Sequence, residues 1–394
     1  MKNYHSEDLK NYKIMVLGVP GSGKTIFLAS MYDKLSVQRN DIGFFLKADN
    51  LEQGKELARI YTIVADTADT TVADPKKAWP RGTLLGDRTD WHFTCCVDGA
   101  NPEVNFESFH FTYFDYAGEL LTDEQDQEAV EKFNNMIHEA DVFLGILDGQ
   151  KILEFMGNHP SRLSSDLRFI LPIIQNHKKP VHFIITKWDL LENYSLRDIL
   201  SNLEQIAAFK DLIMQRSRHI PIRVIPVSSV GIGFAELHDG LMQKKVGAIP
   251  HPLRVEIPLV CLLPDKFEAL IGTLQREESR IRAIRTPSTA TERMYQFLQG
   301  SITFMQWPVY LFTRLVFSEE FRGKIDHSEK TFFRSIKEQL KNRIETKRKQ
   351  SREKMDSLDL VVNERVALLH TIDRFLTLTE AFEGEFPESL LKAE

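Results

Sequence analysis

Lys24 and Thr25 close the run Gly18-Val19-Pro20-Gly21-Ser22-Gly23-Lys24-Thr25, a set of residues equipped to hold a chain of phosphates. Glycines let successive backbone N–H groups turn inward around an anion, and a helix N-terminus behind them adds partial positive charge. The Lys24 ammonium can reach outer phosphates, and the Thr25 hydroxyl suits Mg²⁺. A second group is Asp115-Tyr116-Ala117-Gly118-Glu119. Its aspartate can hold Mg²⁺ through water, and the glycine three residues later can offer its N–H to a γ-phosphate. The third is Thr186-Lys187-Trp188-Asp189. A carboxylate there can accept from both the N1–H and the exocyclic amine of guanine, whereas adenine would leave it unpaired. Lys187 would lay its stem along the base. The fourth is Val227-Ser228-Ser229, whose backbone amides suit the guanine carbonyl oxygen.

Each group must be positioned by the element before it. Ile14-Met15-Val16-Leu17 reads as a strand ahead of the glycine loop, and residues 26–35 read as a helix behind it. Phe109-His110-Phe111-Thr112-Tyr113-Phe114 leads into Asp115, Val181-His182-Phe183-Ile184-Ile185 into Thr186, and Arg223-Val224-Ile225 into Val227. Motifs at strand ends are the arrangement of a doubly wound α/β fold, expected here as a mostly parallel sheet with one antiparallel strand.

In this order the motifs resemble the Ras-like branch of the translation-factor-related GTPases, over roughly residues 10 to 247. Within it, Asp115-Tyr116-Ala117-Gly118-Glu119 and Trp79-Pro80-Arg81-Gly82-Thr83 are most similar to bacterial double-GTPase proteins of multi-gene conflict or defence systems. The resemblance implies GTP/GDP and Mg²⁺ as ligands and GTP hydrolysis as the reaction. It puts Gly18, Gly21, Ser22, Gly23, Lys24, Thr25, Gly118, Thr186, Lys187, Asp189, Ser228 and Ser229 around the nucleotide. Thr25, Thr83 and Asp115 would surround the metal, and Lys24, Thr83 and Glu119 would carry catalysis. Two positions depart from the family. Thr186 stands where asparagine is usual. Glu119 replaces the glutamine that orients the attacking water, and its charge beside an anionic γ-phosphate implies slow hydrolysis without a partner.

Between Thr25 and Asp115 the chain is longer than a small GTPase needs, which makes residues 40–90 an enlarged switch region. It holds an expected edge strand at 42–46 and an amphipathic helix carrying Leu51, Leu57, Ile60, Tyr61 and Val64. A hairpin follows, from Trp91-side residues 91–97 back to the strand ending at Asp115. The family expects a threonine ahead of that hairpin; Thr83 is the first choice and Thr89 the second. Arg81 is a candidate arginine finger acting in cis.

The chain has 394 residues, 42% hydrophobic and 27% charged, ordinary for a globular protein. A net charge of −6 argues against general nucleic-acid binding. Cys95, Cys96 and Cys261 have neither zinc-site nor disulfide spacing, and the first six residues lack an apolar core, so a cytoplasmic location is expected. The histidines are scattered and form no metal motif.

The nucleotide domain is expected over 1–248 and a helical effector or docking domain over 249–394. Val255-Glu256-Ile257-Pro258-Leu259-Val260 reads as a docking strand or extended segment. The aromatic run 302–317 is interrupted by Gln306, Pro308 and Arg314 and is short of the roughly 20 apolar residues that span a bilayer. It leaves open a buried hairpin, a partner surface or peripheral membrane contact. Residues 328–378 read as a long helical arm whose segment 341–354 has seven basic residues against two acidic ones, with an apolar stripe resuming at Leu358, Val362, Leu369, Ile372 and Leu376. A protein partner met through this region is expected, a second GTPase or another copy of the chain among the candidates. A catalytically weak scaffold, a dynamin-like membrane enzyme and an ATPase are the competing classes.

Overall fold

Strict alternation places β1, Asn11–Leu17, at the centre of the molecule: Ile14 and Val16 enter one core, Met15 and Leu17 the other. The computed structural model describes residues 11–67, 78–81, 88–99, 104–116, 127–177, 179–217, 220–265 and 364–391. A strand buried on both faces belongs inside a parallel sheet. β1 pairs in parallel with β4 (Asn105–Tyr116) on one side and β5 (Val142–Asp148) on the other. Beyond β5 lie β6 (Val181–Thr186) and β7 (Ile222–Pro226), also parallel. Beyond β4 lie β3 (Arg88–Asp98) and β2 (Phe45–Ala48), joined by antiparallel pairings. β8 (Ala235–His238) and β9 (Leu241–Lys244) form a separate hairpin, and β10 (Leu390–Leu391) closes the large sheet by pairing antiparallel with β7. The order is β10-β7-β6-β5-β1-β4-β3-β2.

Helices cover both faces. α1 (Lys24–Leu35) and α2 (Leu51–Ala65) lie on the Ile14 face. The Met15 face takes α3 (Gln127–Glu139), α4 (Gly149–Met156), α5 (Leu163–Asn176), α6 (Leu196–Leu203) and α7 (Ala207–Arg216). The chain leaves β1 toward β4 and returns past it to β5, so strand order reverses at β1. That reversal opens a crevice at the carboxyl ends of the strands, beside residue 18.

The α/β, mostly parallel, doubly covered sheet agrees with the sequence, with corrections. Two strands, β3 and β10, run against the parallel set instead of one. The edge strand lies at 45–48 rather than 42–46, because Gly43 (φ +81) turns the chain just before it. The 255–260 segment is not extended: α8 (Ile257–Val260) is a short helix with Pro258 in its first turn, where a proline is tolerated.

Beyond residue 248, the described residues pack onto the sheet. Val255, Leu259, Val260, Cys261, Leu262 and Leu263 share one core with Ile14, Phe27 and Tyr113. So does α9 (Glu364–Glu385), through Ala367, Phe375 and Phe382. Phe375 packs between Phe44 and Phe109, at ring-centroid distances of 5.0 Å and 6.0 Å. The fully buried face of α9 runs Ala367, Thr371, Phe375, Thr379, Phe382, with Ile372 of the expected stripe packed beside it, partly buried. Two threonines can be buried there because Thr371 bonds the Ala367 carbonyl (2.9 Å) and the Ser108 hydroxyl (3.1 Å), and Thr379 the Val260 carbonyl (3.4 Å). The aromatic run 302–317, the basic segment 341–354 and the part of the expected arm before residue 364 lie outside the described residues. No helix among those described is long and apolar enough to cross a membrane.

A buried ion network ties these late segments to the sheet. Arg223 of β7 holds Asp265 through two bonds, of 2.5 and 2.8 Å, and Glu383 of α9 through one of 2.8 Å. His182 of β6 meets the same Asp265 oxygen at 2.7 Å. Burial pushes the Asp265 carboxyl up, and the Arg223 guanidinium more than offsets this, leaving it well below the usual carboxylate range.

Candidate nucleotide-binding site

The glycine loop owes its shape to backbone freedom at two points. Gly21 and Gly23 take φ of +76 and +92, which a side chain resists, and Gly23 is the residue from which α1 starts. At Gly18 space decides instead: a Cβ would come within 2.8 Å of the Ser22 hydroxyl and 3.0 Å of Ile146. Ser22 fixes the turn by donating to the Val19 carbonyl (2.8 Å). Lys24 is only 8% exposed and its ammonium folds back over the loop, donating to the carbonyls of Gly18 (2.8 Å) and Val19 (3.3 Å). Its charge therefore sits at the mouth of the loop, in front of the helix N-terminus.

Thr25, one residue on, donates to the carboxylate of Asp115 across 3.4 Å. Asp115, at the end of β4, is buried. The structure thus brings together two of the three residues expected around a metal. Among the described residues no cluster of three or more His, Cys, Asp or Glu side chains could hold a metal. An ion here would rest on a hydroxyl, one carboxylate and the oxygens of its phosphate ligand, which is how Mg²⁺ is commonly bound. Thr83, Gly118 and Glu119 lie outside the described residues. Thr89 is in register opposite Asp115 on β3. Arg81 is exposed.

β6 delivers the next motif directly to the loop. The Thr186 hydroxyl lies 2.9 Å from the Ser22 carbonyl and 3.2 Å from that of Leu147, so threonine makes the loop contact expected at this position. Lys187 is held in a left-handed conformation (φ 51), and its ammonium binds Asp148 at 2.8 Å. The ion pair fixes the end of the Lys187 side chain. Asp148 ends β5 as Asp115 ends β4, and also caps α4 through the Gln150 amide (3.0 Å). It is a candidate site residue outside the four motifs, signalled only by its place after the apolar run 142–147. The start of α4 passes close to the loop after β6: a Cβ on Gly149 would lie 2.3 Å from the Thr186 carbonyl.

Asp189 is the most pointed feature. Its Oδ1 accepts from the Ser228 hydroxyl at 2.5 Å, while its buried Oδ2 has no hydrogen-bond partner among the described residues. Burial foremost raises its pKa, against the opposing effect of the Ser228 bond. A buried acceptor left bare costs about 1–3 kcal/mol, a cost that a donor-bearing ligand would remove. Ser228 departs from its expected part. Its amide donates to the Leu253 carbonyl (3.1 Å), so its contribution is the hydroxyl that steers Asp189, and any amide contact to a base falls to Ser229. The two late loops are joined, since the Trp188 amide donates to the Val227 carbonyl (3.1 Å).

The carboxyl ends of β1, β4, β5, β6 and β7 therefore converge on one rim, with an ammonium and helix N-terminus at one end and a bare carboxylate oxygen at the other. No family model matches this chain, and no curated protein matches it.

Proposed function

We propose that this protein is a Mg²⁺-dependent, guanine-nucleotide-binding switch that hydrolyses GTP slowly on its own. The observation that carries the reading is Asp189 Oδ2, a buried acceptor with no partner among the described residues, on the rim that also holds the Lys24 loop. Guanine presents two adjacent N–H donors that would occupy a carboxylate, and adenine does not. The donor set fits the rest of the ligand. Lys24 and the loop amides take the phosphates, and Thr25 with Asp115 holds Mg²⁺. The bound ion would neutralise charge that develops on the phosphate oxygens as the terminal phosphoryl leaves. Thr186 keeps the base-reading turn seated on the phosphate loop, Asp148 holds the Lys187 ammonium, and Ser228 aims Asp189. By the sequence resemblance, Gly118 would sense the γ-phosphate, Thr83 would close on the metal and Glu119 would contact the attacking water. The same resemblance supplies the proposed setting, control of a protein partner in a bacterial defence system.

Calorimetric titration of nucleotide-stripped protein with GTP and with ATP, each with Mg²⁺, tests the reading. A GTP preference of tenfold or more, about 1.4 kcal/mol, is expected. In Asp189→Asn it should vanish and give way to xanthosine triphosphate, whose 2-oxo group accepts from the new amide. Equal affinity for GTP and ATP would remove the guanine assignment and favour an ATPase. Binding without phosphate release above a Lys24→Ala control would make the protein a nucleotide-gated scaffold.

A further inference from the structure

We infer that the β8–β9 hairpin clasps Trp79 and the end of α2 to the base-reading loop, so that these parts respond to the base of a bound nucleotide and not to its γ-phosphate. The inference rests on the guanine-nucleotide reading of the site and adds to it a route of regulation.

The clasp begins at Asp189. Ser228 Oγ donates to its Oδ1 (2.5 Å) and accepts from the Gly231 amide (2.8 Å), so the hydroxyl that aims the carboxylate also sets the 228–231 turn. That turn has little room to shift. Gly231 has φ +85, and a Cβ on it would lie 2.2 Å from the His251 carbonyl. Val230 and Phe234, which follow, share a small separate core with Val64 of α2, and Trp79 packs against it. The hairpin closes through Asp239 and Gly240, both at positive φ (49 and 75), a two-residue turn suited to the twist of paired strands.

Its tip reaches the other support of the base site: the Gly240 carbonyl accepts from the Gln150 side chain (3.0 Å), two residues past the Asp148 that holds Lys187. Its outgoing strand grips the earlier part of the chain. The Trp79 indole N–H donates to the Met242 carbonyl (2.9 Å), and the Lys244 ammonium lies 5.0 Å from the Trp79 ring centroid. The same ammonium donates to the carbonyls of Ile63 (2.5 Å) and Asp66 (3.0 Å), at the C-terminal end of α2. The links to Asp189 and Gln150 join the hairpin to the base side of the site, and those to Trp79, Ile63 and Asp66 carry it on to the end of α2, where Ile26 of α1 also packs against the shared core.

Hydrogen exchange of the full chain, read at residues 60–67 and 235–247, tests this with GDP and with a non-hydrolysable GTP analogue. Exchange in both segments should slow by roughly fivefold or more, equally with the two ligands. In Trp79→Ala the slowing should persist at 235–247 and disappear at 60–67; Lys244→Met, which keeps the stem, should weaken it in the same direction. Slowing with the GTP analogue alone would overturn the inference, as would no slowing in a sample that calorimetry shows to be loaded with GDP. Unchanged slowing at 60–67 in both variants would overturn the clasp. If neither guanine nucleotide binds at all, the reading of the site fails and the inference fails with it.

Discussion

Asp189 concentrates the chemistry of this protein in two oxygen atoms. One is engaged by Ser228 and the other is buried with no partner among the described residues; burial foremost holds the carboxyl above its ordinary pKa. A ligand with two N–H donors stabilises the charged form, so its bound-state pKa falls below the ligand-free value. Affinity through this carboxylate is therefore full at pH well above the ligand-free pKa and declines as pH drops through it. Comparing GTP with inosine triphosphate isolates the effect, because both carry the same phosphates and only guanine has the 2-amino donor. The GTP preference should be about 1.5–3 kcal/mol at neutral pH, the range for a hydrogen bond to a charged group. It should shrink as the solution is acidified, in competition titrations at constant ionic strength. A preference that stays flat down to the denaturation limit would separate Asp189 from base recognition.

At the scale of elements, the end of the sheet away from the rim, where β5 and β6 begin, is held by helix ends. Lys179 donates to the carbonyls of Ile137, His138 and Ala140 at the end of α3. Arg216 does the same at the end of α5 through Ile174, His177 and Lys179. Cations at these positions satisfy carbonyls that a helix cannot pair internally and complement its dipole. α9 plays a different part, covering the Ile14 face with one aromatic ring. Phe375 is fully buried between Phe44 and Phe109. Phe375→Ala should cost about 3–5 kcal/mol, the range for emptying such a site. Urea unfolding followed by circular dichroism measures this. A loss under 1 kcal/mol would mean that α9 is only loosely docked.

For the whole molecule, the consequence is that residues far apart in sequence build one core. Asp265 and Glu383, on either side of residues 266–363, meet the same Arg223 side chain on β7. Truncating one partner of a buried ion pair leaves the other uncompensated, and the apolar face under α9 would be open to water. A chain ending at residue 248 is therefore expected to lack a cooperative unfolding transition, whereas the full chain shows one. An unchanged midpoint in the shortened chain would restore the boundary near 248 that composition suggests.

The motifs of the candidate site were legible in the sequence because they are local. Gly18 to Thr25, Asp115 and Thr186 to Asp189 each follow a strand-like apolar run, and strand ends in such a fold share a rim. Short-range periodicity also fixed α2 and the central strands. What the tertiary structure alone decided depends on contacts between distant residues. No spacing rule pairs Lys187 with Asp148, 39 positions earlier, or turns the Ser228 amide to Leu253. Nor does periodicity tell that Thr371 and Thr379 are buried in α9, since a threonine enters a core only where a neighbouring carbonyl receives its hydroxyl. Where the residues beyond 248 pack was decided in the same way. A change in composition marks where a pattern changes, but which surface an amphipathic helix covers is settled by the apolar face left exposed elsewhere, here that of β3 and β4.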